Sequence, residues 1–348
     1  SLGVHVSRYA REHFLLTRPG LDTRYYDNTG YKGEQSAFAK GSVTRGRATF
    51  SGDLQLRLAQ FRYRPTEGSG VEPASVDWSF VNPKAGVSVR VSDGLVAYAS
   101  AGLNGREPTR ADMFAGADDV DSVTARSVYP LTRVHPESVR DLETGVTWRG
   151  ATLSAQANLF LMQFRDEIAP IGAINEIGYL LRKNVARSQR RGVEGDLTWR
   201  VTPHLTAVAT AALTDSRIDE YLDDASGETF RNVTALLTPK LVSGQGVRAD
   251  LARWLSFDVD GRYTSRMMLT NTNDPRFVVP ESWYADAGVT LRAGRNEVLV
   301  QMRNVFDRRV YTGGYPGPAA SSSDPSVMEP YYYTLAPRNL TVNARLAF

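Results

Sequence analysis

Apolar and polar residues take turns along most of this chain. In WLSFDVDGRYTSR, Leu255, Phe257, Val259 and Tyr263 alternate with Ser256, Asp258, Asp260, Arg262 and Thr264. In RGVEGDLTWR, Val193, Leu197 and Trp199 alternate with Glu194, Asp196, Thr198 and Arg200. The rhythm returns at Ala85, Val87, Val89 and Val91, at Leu153, Ala155, Ala157, Leu159 and Leu161, and at Leu340, Val342, Ala344, Leu346 and Phe348. Strict alternation sends one set of side chains to each face of a strand, whereas an amphipathic helix needs a 3.6-residue period. Helical spacing competes nowhere for long, so the chain is expected to be all-β.

About fourteen such strands are predicted, at 2–15, 36–45, 48–63, 83–92, 95–104, 137–149, 151–167, 188–201, 204–219, 238–252, 254–268, 281–292, 296–311 and 338–348. Many exceed the usual strand length and reach the roughly nine to eleven residues that a tilted strand needs to cross a bilayer. Short connections, TRGR at 44–47, SDG at 92–94, RGA at 149–151, VTPH at 201–204 and AGRN at 293–296, alternate with long ones at 16–35, 64–82, 104–136, 168–187, 220–237, 269–280 and 312–337. Short turns at one end and long loops at the other are the topology of an outer-membrane barrel. The expected fold is therefore an antiparallel transmembrane β-barrel.

Aromatic placement agrees. Trp148, Trp199 and Trp254 lie beside short turns, while Trp78, Trp283, Tyr63, Tyr263, Tyr284 and Tyr311 lie toward the long loops, as two interfacial girdles require. The faces carrying Glu194, Asp196 and Arg200, or Asp258, Asp260 and Arg262, or Asn343 and Arg345, hold too much charge for a small closed core and suit a wide, wet lumen. The Ala207, Ala209 and Ala211 face is compatible with lipid.

Composition removes other classes. With no cysteine and four histidines in 348 residues, thiol enzymes, disulfide scaffolds and zinc ribbons are excluded, and no cofactor is expected. Forty-one basic residues against 38 acidic ones give a net charge of +3 with no long run of either sign, so no nucleic-acid partner is expected. No stretch is long and apolar enough for a membrane helix, and the first residues, SLGVHVSRYAREHF, lack the features of a signal peptide.

Specific segments carry a resemblance. NVFDRRVYTGGYPG (304–317) followed by APRNLTVNARLAF (336–348) resembles the end of TonB-dependent outer-membrane receptors, with Asn304, Val305, Phe306, Asp307 and Tyr311 at the penultimate-strand motif and Phe348 as the closing aromatic. GREPTRADMF (105–114) resembles that family's Arg-x-Pro segment at the opening of a mid-barrel loop, and Gly192, Val193 and Glu194 resemble its Gly-Val-Glu strand. The likeness covers the whole chain. It implies a plug followed by a barrel of about 22 strands. Residues 1–348 would then be the C-terminal portion of that single barrel domain, about two-thirds of it, with the plug and roughly eight strands upstream. On this expectation the fourteen strands alone form an open sheet and do not transport by themselves.

The resemblance implies energy-coupled import of a scarce, bulky ligand across the outer membrane, with a ferric siderophore as the leading expectation and cobalamin or another chelate as alternatives. Its implied partners are outer-membrane lipid, an iron chelate and the TonB energy-coupling complex, the last reached through the plug. Candidate ligand groups are on long loops: Arg106, Arg110, Arg126, Arg133 and Tyr129 on the longest, and Tyr315, Tyr331, Tyr332 and Tyr333 on the last. Guanidinium groups suit anionic chelates and aromatic rings suit planar ones. Asp118, Asp119 and Asp121 are dense enough to raise the question of calcium, yet they lack a calcium-loop pattern and are expected to be a solvated acidic loop. TGGYPGPAASSSDPS (312–326) reads as mobile loop.

Rival classes leave their own signatures. A catalytic barrel needs a nucleophile set, but His135 and Asp141 are six residues apart, no Ser-centred elbow occurs, and no enzyme is expected. A self-contained passive pore of about fourteen strands requires pairing between Val4–Phe14 and Leu340–Phe348. A soluble sandwich would stay dispersed without detergent.

Overall fold

The computed structural model describes every residue except Glu176, Ile177, Pro325 and Phe348. Its strands are β1 (Leu2–Leu16), β2 (Arg24–Arg45), β3 (Ala48–Arg64), β4 (Ala74–Arg90), β5 (Leu95–Arg106), β6 (Glu137–Arg149), β7 (Leu153–Ile174), β8 (Leu180–Thr202), β9 (Leu205–Leu222), β10 (Thr229–Thr234), β11 (Leu241–Ala252), β12 (Leu255–Thr264), β13 (Met267–Met268), β14 (Val278–Val279), β15 (Ser282–Ala293), β16 (Asn296–Arg303), β17 (Tyr311–Pro318), β18 (Met328–Thr334) and β19 (Asn339–Arg345). Two single-turn helices, α1 (Arg110–Met113) and α2 (Ala125–Val128), lie between β5 and β6.

Fifteen strands form one antiparallel sheet, fourteen of them in line from β1 to β9 and on through β11, β12, β15, β16 and β19, with β10 attached to β9. Every rung joins neighbours in the meander, as the alternating short and long connections require. Gly46 and Gly294 adopt left-handed backbone in two of the tight turns, at φ +58 and +61.

The two faces of the sheet differ as the alternation demands. Leu54, Leu56 and Leu58 of β3, Leu142 and Val146 of β6, Val193 of β8 and Leu213 of β9 stand exposed on the outer face. Higher up the same strands this face becomes polar, at Gln60, Arg140, Arg191 and Asp215. Eight residues separate Trp199 from Arg191. At about 3.3 Å per residue and about 40° of tilt, that gives an apolar band of about 20 Å, near the ~25 Å of membrane barrels. The opposite face carries Arg57, Glu194, Asp196, Asp258 and Asp260, and the long loops fold over it, so it is the lumen face.

Several boundaries differ from the sequence reading. β2 starts at Arg24 instead of 36, β4 at Ala74 instead of 83, and β7 and β8 run to Ile174 and from Leu180. These extensions project above the apolar band, where the outer face meets water; the alternation fades in β2, β7 and β8, and in β4 its apolar residues Ala74, Val76 and Trp78 turn to the loop core on the lumen side. The strand expected at 296–311 stops at Arg303, and the last strand is Asn339–Arg345. Phe348, matched above to the closing aromatic, lies outside the described residues.

The 312–326 segment is not a plain mobile loop: Tyr311–Pro318 pairs with Met328–Thr334 in a hairpin. The upper girdle is also thinner than expected. Trp283 stands 42% exposed on the outer face beside Tyr263. Trp78, Tyr63 and Tyr284 share the lumen face, and Tyr63 is buried at 2% exposure. Parity decides this: each is one residue out of phase with the outward set. The pairing that a self-contained fourteen-strand pore requires does not form among the described residues, because β1 pairs only with β2 and β19 only with β16.

The motif Asn304–Asp307 is a turn rather than strand. Asn304, 1% exposed at φ +50, receives the backbone N–H of Arg308 on its side-chain oxygen (2.9 Å) and donates its amide to the Arg308 carbonyl (2.8 Å). Its own N–H donates to Asp286 of β15, and Asp307 accepts the Arg338 N–H just before β19, each at 2.8 Å. One short segment thus fastens three adjacent strands.

Candidate functional site

The long connections sit at the end opposite Trp148, Trp199 and Trp254, and they pack together in two groups. The first is built by residues 107–136. Thr109 caps α1: the Asp112 N–H donates to its hydroxyl (3.2 Å) while the Asp112 carboxylate receives the Thr109 N–H (2.8 Å). This turn aims Phe114 inward at 0% exposure, edge-on to Phe61 (6.2 Å) and Tyr63 (4.7 Å). Met113, Val120, Val128 and Leu131 complete a small core over β3 and β4. Burying a phenyl ring of this kind stabilises by roughly 2 to 3 kcal/mol.

The foot of this loop is ionic. Glu107, its side chain 2% exposed, receives both guanidinium nitrogens of Arg57 (2.6 and 2.8 Å) and the Lys32 ammonium (2.5 Å). Arg57 also donates to Glu34 (2.9 Å). Burial alone would raise the Glu107 pKa, but the hydrogen bonds from Arg57 and Lys32 outweigh it and bring it down to about 2.

Arg110 is not a free loop cation. It is mostly buried, donating to the carbonyls of Ala117 (3.2 Å) and Asp118 (2.6 Å) and to the Asn28 side-chain oxygen (3.1 Å), with its guanidinium 4.7 Å from the Phe114 ring centre. Burial presses its pKa downward. Arg106 donates to Glu137 (2.9 Å), whose other oxygen takes the Ile168 N–H. Tyr129 donates its hydroxyl to the Glu72 carbonyl. Arg133 is exposed and donates to the Ser127 carbonyl (3.1 Å), and Arg126 is exposed with no ion-pair partner among the described residues.

The three aspartates diverge. Asp118 lies 3.3 Å from His13, Asp119 accepts from Asn28 (3.0 Å) and Thr66 (2.9 Å), and Asp121 accepts the N–H groups of Val123 and Thr124 at the start of α2. No group of three or more carboxylate or imidazole side chains suited to a metal occurs among the described residues. Instead of a solvated acidic loop, Asp118 and Asp119 are anchors. His135 faces Asp166 at 3.8 Å, away from Asp141.

The second group joins the ends of β7–β9, the loops flanking β10, β13 and β14, and the β17–β18 hairpin. Its hub is Asn271, 1% exposed. The side-chain oxygen of Asn271 accepts the Leu236 N–H (3.0 Å), its amide donates to the Pro170 carbonyl (2.8 Å), and the Tyr221 hydroxyl shares it. A neutral amide offers donors and acceptors without a buried charge, so it can complete backbone groups that no ladder reaches. Asn273 repeats the device with Thr234, accepting its N–H (2.7 Å) and donating to its carbonyl (2.8 Å). Gly172, at φ +87, lets the β7 arm approach so closely that an added Cβ would meet the Leu269 carbonyl at 2.6 Å. The two groups touch where Asn184 of β8 exchanges hydrogen bonds with the His135 backbone and where Asn175 donates to the Gly116 carbonyl.

The hairpin divides its tyrosines between two jobs. Tyr332 stacks on Tyr311 (4.3 Å) and donates to the Val278 carbonyl, docking one face against Met267, Leu269 and Val279. On the other face Tyr315 lies parallel to Tyr331 (5.6 Å) and beside Tyr333 (5.9 Å), an aromatic row open to solvent.

Sequence reasoning singled out the arginines of GREPTR and passed over Glu107 between them. It also passed over Asn28, His13 and Asn271, whose partners stand dozens of residues away and leave no local pattern. Buried asparagine in a polar loop run such as TNTND looks like any loop asparagine.

Residues 2–305 match the family model described as TonB dependent receptor-like, beta-barrel. No curated protein sequence matches the chain. Among solved structures, the ferric citrate transporter FecA in its unliganded form aligns with a TM-score of 0.74 at 16% identity, over 99% of this chain and 50% of that one. The ferric-catecholate import receptor Fiu from E. coli K12 aligns at 0.70 and 16%, over 99% and 51%. The copper transporter OprC aligns at 0.71 and 15%, over 99% and 53%. The chain thus spans about half the length of the structures it matches.

Proposed function

Because the chain belongs to the TonB-dependent receptor-like β-barrel family, a group of receptors and transporters rather than enzymes, we propose that it forms barrel wall and outer loops of a receptor importing a scarce, bulky ligand, a ferric siderophore as first choice. The receptor sits in the outer membrane of a Gram-negative cell. Its apolar band contacts lipid, and import is driven through TonB acting on a plug domain. The family match over residues 2–305 carries this reading, and the ferric citrate and ferric-catecholate ligands of FecA and Fiu support an iron chelate. The two knitted loop groups supply a capture surface on one end of the wall.

Within that surface we assign ligand contact to the exposed guanidinium groups of Arg126 and Arg133 and to the Tyr315, Tyr331 and Tyr333 row. Guanidinium forks suit carboxylate or phenolate oxygens of a chelate, and the open rings suit its planar parts. Arg106, Arg110, Tyr129 and Tyr332 act one step back, holding the loops that present those groups.

The test is uptake of radioactive iron by cells that lack their own receptors and express the full-length protein. Saturable uptake of a ferric chelate, abolished by a proton uncoupler, is the expected result. Uptake that ignores the uncoupler would make the barrel a passive pore and sink the reading.

A further inference from the structure

Just above the apolar band, the outer face of β6, β7 and β8 turns strongly basic. Arg140 stands two residues beyond Leu142, and Arg165 four beyond Leu161. In the ladder Arg165 lies directly opposite Arg187 on one side and Ser138 on the other, while Arg140 lies opposite Gln163. Arg140, Arg165 and Arg187 are all exposed. Like charges directly opposite in a sheet repel and destabilise it, so a facing arginine pair needs an anion between its members.

The protein does not supply enough of one. Arg187 reaches Asp219 at 3.3 Å, but Arg140 and Arg165 have no carboxylate partner among the described residues. Asp215, the other nearby acid on this face, is already taken by Arg191 (3.2 Å) and Arg217 (2.8 Å). The three free or half-satisfied forks converge on a shallow groove of about 180 Å³ floored by Gln163 and Gln189. Its height is that of a headgroup layer, because the apolar side chains end immediately below.

We propose that Arg140, Arg165 and Arg187 form a binding site for the phosphate groups of a lipid headgroup in the outer leaflet. Guanidinium forks match phosphate oxygens in pairs, and the polar glutamine floor completes the remaining acceptors. The site faces away from the lumen, so it is independent of ligand import and rests only on the chain's spanning a membrane.

The full-length receptor is placed in phosphatidylcholine nanodiscs doped with a lipid bearing a phosphorylated sugar headgroup, or with the same lipid after phosphate removal. Retention of each lipid is then measured by native mass spectrometry. Each arginine near a charged surface contributes about a fivefold preference, so the phosphorylated lipid is expected to be favoured by about a hundredfold. Arg140→Gln and Arg165→Gln break no ion pair, and each should cut the preference about fivefold. The triple glutamine variant should abolish it, whereas Arg62→Gln, an outward arginine on β3, should leave it intact. Equal retention by the parent and the single variants would overturn the proposal. So would full competition by millimolar inorganic phosphate, which would make the groove a simple anion site. Failure of the unsubstituted protein to enter phosphatidylcholine bilayers would instead refute the membrane reading itself, and the headgroup site with it.

Discussion

Two neighbouring parts of the loop crown are held by different chemistry. Over β1–β6 the fastening is charged and aromatic: Glu107 between Arg57 and Lys32, and Arg110 beneath Phe114. Over β7–β19 the hub is neutral, alongside the Glu167–Arg190 and Lys183–Asp224 ion pairs: Asn271 and Asn273 complete backbone groups, and Tyr332 docks a hairpin through one hydroxyl and one ring stack. A buried charge network is strong only while every partner stays ionised, whereas an amide clasp does not notice pH or salt. The difference separates how each part holds from what would loosen it.

The largest effect is expected from Glu107→Ala. It leaves Arg57 and Lys32 without their shared carboxylate, at a cost of about 3 to 5 kcal/mol, and should release residues 107–136 to protease while the β17–β18 hairpin stays protected. If both parts became cleavable together, the crown would be one unit and the contrast would fail. Asn271→Leu should have the complementary result at about 1 to 3 kcal/mol, because the Leu236 N–H and Pro170 carbonyl lose their partners. Hydrogen exchange should rise at the ends of β7 and β9 and remain low near Phe114. Gly172→Ala should loosen the same arm by a similar or smaller amount, since a left-handed backbone and the Leu269 carbonyl both oppose the methyl group.

The acid response sharpens the contrast further. Burial first, then Arg110 and Arg11, lowers the His13 pKa, so its contribution is present above the unfolded value of about 6.5 and is lost as pH falls through the lower folded value. Glu107 acts in the same direction, losing its contribution between the ordinary carboxylate range and about 2. The first part should therefore loosen in acid, measured as loop cleavage against pH, and His13→Gln should remove the earlier component. The Asn271 and Asn273 clasps of the second part should stay flat there. At high pH both behave alike, because burial pushes Tyr63 and Tyr221 each up to about 12, and that stability is lost only as pH rises toward those values. The smallest stability effect belongs to Arg126→Ala and Arg133→Ala, within about 0.5 kcal/mol for exposed side chains. Their expected signature is weaker chelate uptake in the full-length receptor without loss of folding. Unchanged uptake would move recognition to the tyrosine row.

Much of the wall is readable residue by residue. The alternation at Leu255–Tyr263 and at Val193–Trp199 places strand, face and lumen charge correctly, because a half-apolar sheet leaves no freedom in parity. Reading fails above the band, where Arg24–Gln35 remains strand without an apolar face to mark it and where Ala74, Val76 and Trp78 alternate toward the lumen-side loop core instead of toward lipid. It fails also for the anchors, since Asn28 meets Asp118 and Asp119 some 90 positions away. Arg110 illustrates both limits: a loop arginine suggested ligand contact, and only the fold reveals that its fork is turned inward. Position along the strand suggests a girdle for Tyr63 and Trp78, where one step of phase decides between lipid and lumen.

The purely sequential pairing of the fourteen in-line strands has one more consequence. Since no strand is laid between two that were placed earlier, a hairpin is a removable tile: taking out β11 and β12 would bring β9 against β15 with the same polarity and no rethreading. Circumference in such a wall is thus a matter of how many tiles are strung in line, and an ancestral gene could widen or narrow its barrel by copying or dropping one hairpin at a time.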